Sequence, residues 1–154
     1  MKKKKKLIYV GLIVVSLALV IIYYMTTKPT NIDGITCDSL EQSVMHIHTN
    51  LSITINNNSL TVPASIGIND DVCLYWLHTH DTSGLIHTES PVFANYTLGQ
   101  FIDIWNKTQP YSETLMFLKN STITAYVNNV LYIGNYRNII LRDHYQIRLI
   151  GESS

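Results

Sequence analysis

The sequence has few charged residues, and most of its positive charge lies near one end. Only 14% of the 154 residues are charged, against about a quarter in an average soluble protein. Six of the eleven basic residues are the lysines at positions 2–6 and 28. Five basic residues remain beside all eleven acidic ones, so the chain after Lys28 has a formal charge of −6 with neutral histidines. We expect no nucleic-acid partner for such a surface.

Residues 7–25 contain no charged side chain at all. A helix of this length reaches about 28 Å, close to the roughly 30 Å of a bilayer's hydrocarbon core. The stretch also lacks the small residues of a signal-peptidase site, which favours a retained transmembrane anchor. The lysines at 2–6 then predict a cytoplasmic tail in residues 1–6 and a domain outside the cell. A cleaved signal peptide, the alternative, leaves the compartment unchanged.

The remaining chain is too short for two comfortable domains. Residues 26–34 are the predicted tether, because Pro29 interrupts a segment that has no apolar periodicity. Residues 35–151 are the predicted extracytoplasmic domain, since about 120 residues can bury one sizeable core.

Alternating apolar and polar residues predict a mostly β domain. Residues 45–55 alternate without a break, as a half-buried strand does. Further strands are predicted at 60–62, 72–80, 85–89, 122–127, 130–133, 139–141 and 145–150. Thr97 and Gln100 have the spacing of a capping box and predict one short helix. Seven or eight strands and one helix indicate a small β-sandwich or barrel-like domain.

Cysteine is scarce, with Cys37 and Cys73 the only two. An even number in an oxidising compartment predicts a disulfide. The alternative makes one or both thiolates metal ligands. Strand alternation opposes it for Cys73, whose side chain would point away from the face that carries His78 and His80.

Histidine, by contrast, is concentrated around one predicted turn. Asp81 and Gly84 suit the two ends of a β-turn, so the flanking segments should form an antiparallel hairpin in which His78 faces His87. Opposed residues have Cβ atoms about 4.5–5.5 Å apart, which lets two rings share an ion bound at about 2.0–2.1 Å. With a side-chain period of two, one face of the hairpin carries four candidate ligands: His78, His80, His87 and Glu89.

A second pair, His46 and His48, shares one face of the strand predicted at 45–55. The predicted metal-binding histidines are therefore His46, His48, His78, His80 and His87. Asp81 and Glu89 are the carboxylates that we expect either to bind the metal or to transfer protons. His144 lies on a predicted loop tip and is read as an ordinary surface residue. A solvated polar sheet face without any ion is the alternative to this site.

The ligand types narrow the choice of metal. An all-histidine set favours Cu or Zn, whereas three histidines with Glu89 would suit Mn or non-haem Fe. Three functions stay open at this point: a metal-binding domain for capture, delivery or stiffening, a metal-dependent enzyme with an open coordination position, and a metal-free adhesion or assembly module that binds an unspecified partner in the cell envelope. We favour the first, with Cu or Zn.

Four segments carry a resemblance to a known family. They are residues 45–51 with a His-x-His pair, 63–68, 76–91 with the sequence WLHTHDTSGLIHTESP, and 97–105. Together they resemble an uncharacterised family of membrane-anchored exported proteins of archaea and some bacteria. The resemblance covers nearly the whole exterior domain and implies no particular activity. The pair His78 and His80, with Glu89 after it, is also similar to the His-x-His pair and nearby glutamate of cupin barrels, although His80 and Glu89 are further apart than the usual cupin spacing.

Overall fold

The computed structural model describes residues 2–26, 31–69 and 72–153. The chain divides into two compact units, Met1–Thr30 and Asn31–Ser154.

The first unit contains one helix, α1 (Lys2–Thr26). Among the helices of the described residues, none combines the length and apolar character that crossing a membrane requires. The membrane span at residues 7–25 stays a prediction from the sequence. The predicted tether, residues 26–34, falls partly on residues 27–30, which lie outside the described part of the chain.

The second unit is mostly β, which confirms the predicted class. Its described strands are β1 (Cys37–Asp38), β2 (Met45–Ile55), β3 (Asn58–Leu60), β4 (Ile68–Asn69), β5 (Cys73–Tyr75), β6 (Leu77–His78), β7 (Leu85–Ser90), β8 (Ser121–Val127), β9 (Val130–Tyr132) and β10 (Gln146–Ser153). Its helices are α2 (Leu98–Thr108), α3 (Glu113–Lys119) and a 3₁₀ turn, Tyr136–Asn138.

The strands form two sheets. The larger sheet has the order β6-β7-β2-β10-β8-β9, with β3 also paired to β2, and the smaller has the order β1-β5-β4. β10 runs parallel to β2, while the other pairs are antiparallel. In the described residues the larger sheet is open, with β6 and β9 at its edges, and does not close into a barrel.

β2 has the bounds that the alternation predicted, Met45–Ile55. Thr49, Leu51, Ile53 and Ile55 are buried on one face, and the residues between them are partly or fully exposed. The central strand of the site is therefore fixed in orientation, because a slip by one residue would exchange its buried and exposed faces.

Several of the predicted strands differ in the structure. The strand predicted at 60–62 is β3, Asn58–Leu60. The run at 72–80 is divided at Trp76, where β5 ends in the small sheet and β6 begins in the large one. The Trp76 indole donates a hydrogen bond to the Asp38 carboxylate over 2.6 Å, a contact with a distant residue that alternation cannot reveal. The predicted strand at 139–141 forms only one isolated bridge, Ile140 with Thr97.

The short helix predicted at Thr97 is confirmed as α2, but the described residues contain further helices. α2 begins at the predicted capping box, in which the Thr97 hydroxyl accepts from the Gln100 amide and the Gln100 side chain accepts from the Thr97 amide. α3 was not predicted, because it is only seven residues long and its apolar residues are consecutive. Ser112 caps it, and Leu115 and Leu118 are buried in the core.

The core holds the site's strands in place. Phe101 and Trp105 of α2 are fully buried in the same cluster as Leu51 of β2 and Leu77 of β6. The predicted disulfide between Cys37 and Cys73 is confirmed and joins β1 to β5.

Candidate metal centre

Three neighbouring strands bring three histidines into one row. His87 of β7 pairs with His78 of β6 on one side, as the turn predicted, and with His48 of β2 on the other. Neighbouring strands lie about 4.7–4.9 Å apart. The ring centroids accordingly lie 5.4 Å apart for His78 and His87 and 4.6 Å apart for His48 and His87.

A second row lies two residues along the strands. His46 of β2 pairs with Glu89 of β7, and its Nε2 atom lies 3.3 Å from the carboxylate oxygen Oε1. The same oxygen lies 3.4 Å from Nδ1 of His87 and 4.0 Å from Nε2 of His78. Glu89 therefore faces histidines from three strands.

The nitrogen atoms are spaced as metal ligands are. Nε2 of His46 lies 3.1 Å from Nε2 of His48, and Nε2 of His78 lies 3.2 Å from Nε2 of His80. For metal bonds of 2.0–2.1 Å, two ligands of a tetrahedral ion are separated by about 3.3 Å. Ligand atoms within 4.8 Å of one another form two groups that share His87: His78, His80, His87 and Glu89, and His46, His48 and His87. The cluster can hold a metal ion.

The tautomer of His78 is set by the backbone. Its Nδ1 lies 2.9 Å from the Tyr75 carbonyl oxygen. Because a carbonyl only accepts, Nδ1 must carry the hydrogen, which leaves the Nε2 lone pair directed at the cluster. Gly67 packs against this strand so closely that a Cβ atom there would lie 2.5 Å from the Leu77 oxygen and 3.2 Å from the His78 Cβ. His78 is thus held firmly in the orientation of a ligand.

The two central imidazoles are neutral near pH 7. The pKa of His78 is lowered to about 4. Burial is the main cause, the Tyr75 hydrogen bond opposes it, and the neighbours His80 and His87 add to the lowering. Burial also lowers the pKa of His87 to about 4, with His80 and His48 adding to the effect. Neutral imidazole is the form that binds a metal.

Glu89 is costly to bury without a cation. Its residue is only 3% exposed, and this burial, followed by the repulsion from Glu41, raises the pKa of its carboxyl group. Its Oε2 atom and the Nδ1 atom of His87 are buried without a hydrogen bond in the described structure. Such groups destabilise a protein unless a partner satisfies them, and an ion between them would satisfy both.

One side of the cluster opens to solvent. The side chains of His46 and His80 are 49% and 45% exposed, whereas that of His78 is fully buried. Glu41, on the segment before β2, places its carboxylate 3.8 Å from Nε2 of His80 at this opening. An ion can therefore reach the site from the solvent.

The turn that joins β6 to β7 positions both halves of the hairpin. Asp81 accepts a hydrogen bond from the Ser83 amide over 2.8 Å, and Gly84 has a positive φ of 80°. A Cβ atom on Gly84 would lie 2.2 Å from the Leu51 carbonyl oxygen, and Leu51 donates its own amide to Gly84. Only glycine fits here, where the hairpin packs against β2.

The structure brings together all five predicted histidines and Glu89. Asp81 belongs to neither group of ligand atoms and stabilises the turn instead. Two carboxylates near the cluster were not predicted: Glu41, and Asp143, which accepts a hydrogen bond from the His48 amide over 2.9 Å. Asp143 lies far along the chain from every histidine of the cluster, and Glu41 lies shortly before β2 but belongs to no alternating or turn pattern that would indicate it.

Comparisons of the chain with protein-family models, with curated proteins and with solved structures gave no match. The assignment of a function therefore depends on the site alone.

Proposed function

We propose that the domain is an extracytoplasmic metal-binding module that holds Cu or Zn through its histidine cluster. The observation that carries the proposal is the row His78, His87 and His48, whose rings come from three adjacent strands and converge beside Glu89. Capture, delivery or structural stiffening are the roles that such a module serves. Fe or Mn is the alternative cargo, because Glu89 adds an oxygen ligand to the set.

An ion would supply a partner for buried polar atoms that lack one. Glu89 otherwise keeps a buried oxygen without a partner. Divalent copper or zinc would satisfy these atoms, and the neutral state of His78 and His87 near pH 7 leaves their lone pairs ready to bind.

The location outside the cell is part of the proposal. The Cys37–Cys73 disulfide fits an oxidising compartment. The uncharged residues 7–25 after a run of lysines favour an anchor in the bilayer, and apolar side chains of this helix such as Leu12 and Leu19 are exposed. Membrane fractionation of cells that produce the full chain should place it in the membrane pellet, resistant to carbonate extraction, and recovery in the soluble fraction would contradict the anchor.

Metal analysis of the full chain, purified in detergent, tests the metal-binding proposal. After chelation and readdition of Cu(II) or Zn(II), we expect bound metal to survive desalting and to raise the melting temperature, because a ligand that binds only the folded state stabilises it.

The matched control is His144→Ala. His144 is exposed and outside both ligand groups, so this variant should bind as the wild type does. A wild-type protein that stays metal-free, with a melting temperature that neither ion changes, would contradict the proposal.

A metal-dependent enzyme is the second candidate. The exposed edges of His46 and His80 favour it, because they leave room for water or a small substrate at the ion. Azide that binds rapidly and changes the visible spectrum of the Cu(II) form would indicate an open position, and an unchanged spectrum would argue for a saturated ion.

A further inference from the structure

The histidine cluster contains more ligand atoms than one ion can use. Five imidazoles and Glu89 offer six ligand atoms when each residue supplies one, whereas a tetrahedral ion takes four. The ligands beyond the first group are His46 and His48. Together with His87, they form a second group whose ligand atoms lie within 4.8 Å of one another.

We infer that the cluster holds two metal ions, one at each pair of facing Nε2 atoms. The inner position is formed by His78 and His80 with His87 and Glu89. The outer position is formed by His46 and His48, with His87 and Glu89 beside them. This inference rests on the proposed metal-binding function and adds the number of ions and the residues that each ion contacts.

The first argument is the spacing within each pair. The Nε2 atoms are 3.1 Å apart in the His46–His48 pair and 3.2 Å apart in the His78–His80 pair. Both distances are close to the edge of a tetrahedral ligand set. Each pair is thus arranged as two adjacent ligands of one ion, and the two pairs belong to different groups.

The second argument is the position of Glu89. Its Oε1 atom lies 3.3 Å from His46 of the outer group and 3.4 Å from His87, which both groups share. Its Oε2 atom is buried without a hydrogen bond. A carboxylate beside both groups, with two oxygens to offer, can bridge two ions, and the ions of two-metal sites lie about 3.5–4 Å apart.

The third argument is charge. A second cation beside the first would meet strong repulsion in a neutral site, but three further carboxylates surround this cluster. Glu41 lies 3.8 Å from His80, Asp143 accepts from the His48 amide, and Asp81 lies in the turn after His80.

Metal stoichiometry measured on the full chain in detergent tests the inference. The chelated protein is titrated with Zn(II) alone, and in a second experiment with Cu(II) alone, desalted, and analysed for metal and protein. We expect saturation at two ions per chain for the wild type and for His144→Ala. The double variants His46→Ala/His48→Ala and His78→Ala/His80→Ala should each keep one ion.

Copper adds a readout that depends on the distance between ions. Two bridged Cu(II) ions couple, so the integrated spin signal of the wild type should fall well below its copper content, whereas the variants with one ion should show equal values. A wild type that saturates at one ion would overturn the inference and leave the proposed function standing. A wild type that binds none would overturn both. Loss of both ions in a variant that still melts cooperatively would also contradict two separate positions.

Discussion

The two halves of the cluster differ in how firmly the fold holds them. In the inner half, His78 and Glu89 are almost completely buried, and a backbone carbonyl fixes the tautomer of His78. In the outer half, the side chain of His46 is 49% exposed, and its Nε2 atom lies 3.1 Å from Nε2 of His48. His78 and Glu89 are therefore in place before an ion arrives, whereas burial does not confine His46 of the outer half or His80 of the inner half, whose side chain is 45% exposed.

This difference predicts that the inner half destabilises the metal-free protein more than the outer half does, and that it binds an ion more tightly. Burying neutral imidazoles and a carboxylate destabilises the metal-free protein, and the pKa values of His78, His87 and Glu89 reflect that cost. Preorganised ligands lose less conformational freedom on binding and hold an ion more tightly. Four predictions test the contrast, beginning with the largest expected effect.

Removal of His87 should weaken the binding of one ion, because a neutral imidazole offers a single lone pair. If the roughly 10–16 kcal/mol of a structural zinc site is shared by four ligands, each contributes about 3 kcal/mol, or about a hundredfold in affinity. We expect His87→Ala to lose about that factor for one bound Zn(II), as measured by competition with a chromogenic chelator. His144→Ala is the control, and affinities of His87→Ala that all equal those of the control would show that His87 is not a ligand.

Acid should destabilise the metal-free protein through the inner half. His78 has a pKa of about 4 in the folded state, below the ordinary value of about 6.5, so the unfolded chain binds the proton more readily. The stabilising contribution is present above pH 6.5 and is lost as the pH falls toward 4. This amounts to about 3 kcal/mol for this residue, since one pKa unit is about 1.4 kcal/mol.

The lowered pKa of His87 acts in the same direction, while the raised pKa of Glu89 opposes it. Urea unfolding of the chelated protein at pH 7, 5.5 and 4.5 measures the combined contribution of these three residues to the free energy of unfolding. We expect stability to fall with pH over this range, and to fall more steeply in Glu89→Gln, which lacks the opposing carboxyl group. A flat profile in Glu89→Gln would mean that the two imidazoles are not desolvated.

Glu89→Gln should separate stability from affinity. The amide has nearly the same shape and no charge, so it relieves the buried carboxylate in the metal-free protein and removes an anionic ligand in the loaded one. We expect a melting temperature without metal that is equal to or above that of the wild type, and an affinity for Zn(II) about tenfold lower, the effect of roughly 1.4 kcal/mol. A lower melting temperature together with unchanged affinity would place Glu89 in a purely structural role.

His46→Ala should have the smallest effect on the metal-free fold. The contacts of His46 with His48 and Glu89 lie at a side chain that is 49% exposed, and exposed pairs contribute about 0–1 kcal/mol. Truncation of the buried His78 leaves a cavity and should cost about 2 kcal/mol or more. Urea unfolding of the two chelated variants gives the comparison directly. Equal losses would remove the distinction between the inner and outer halves.

The pairing of His78 with His87 in the inner half could be predicted from the sequence, whereas the position of β2 beside them could not. A period of two along the chain and a turn from Asp81 to Gly84 were sufficient to place His78 opposite His87, because both features are local. The pairing of β2 with β7, which sets His48 opposite His87 and His46 opposite Glu89, depends on contacts between distant segments. No local pattern specifies that register.

The errors in the predicted fold have the same origin. The break at Trp76 depends on a hydrogen bond to Asp38, which lies 38 positions earlier in the chain. α3 is short, and its helical state depends on Ser112 as a cap and on the burial of Leu115. These features follow from tertiary contacts, which override local propensity in short elements.

X-ray absorption of the zinc-loaded full chain tests the central claim most directly, because it reports the atoms that surround the ion. The convergence of rings from three strands predicts a first shell of nitrogen and oxygen at about 2.0 Å, without sulfur, and outer-shell scattering from at least two imidazoles for each zinc. A first shell of water oxygens without imidazole scattering would contradict the account.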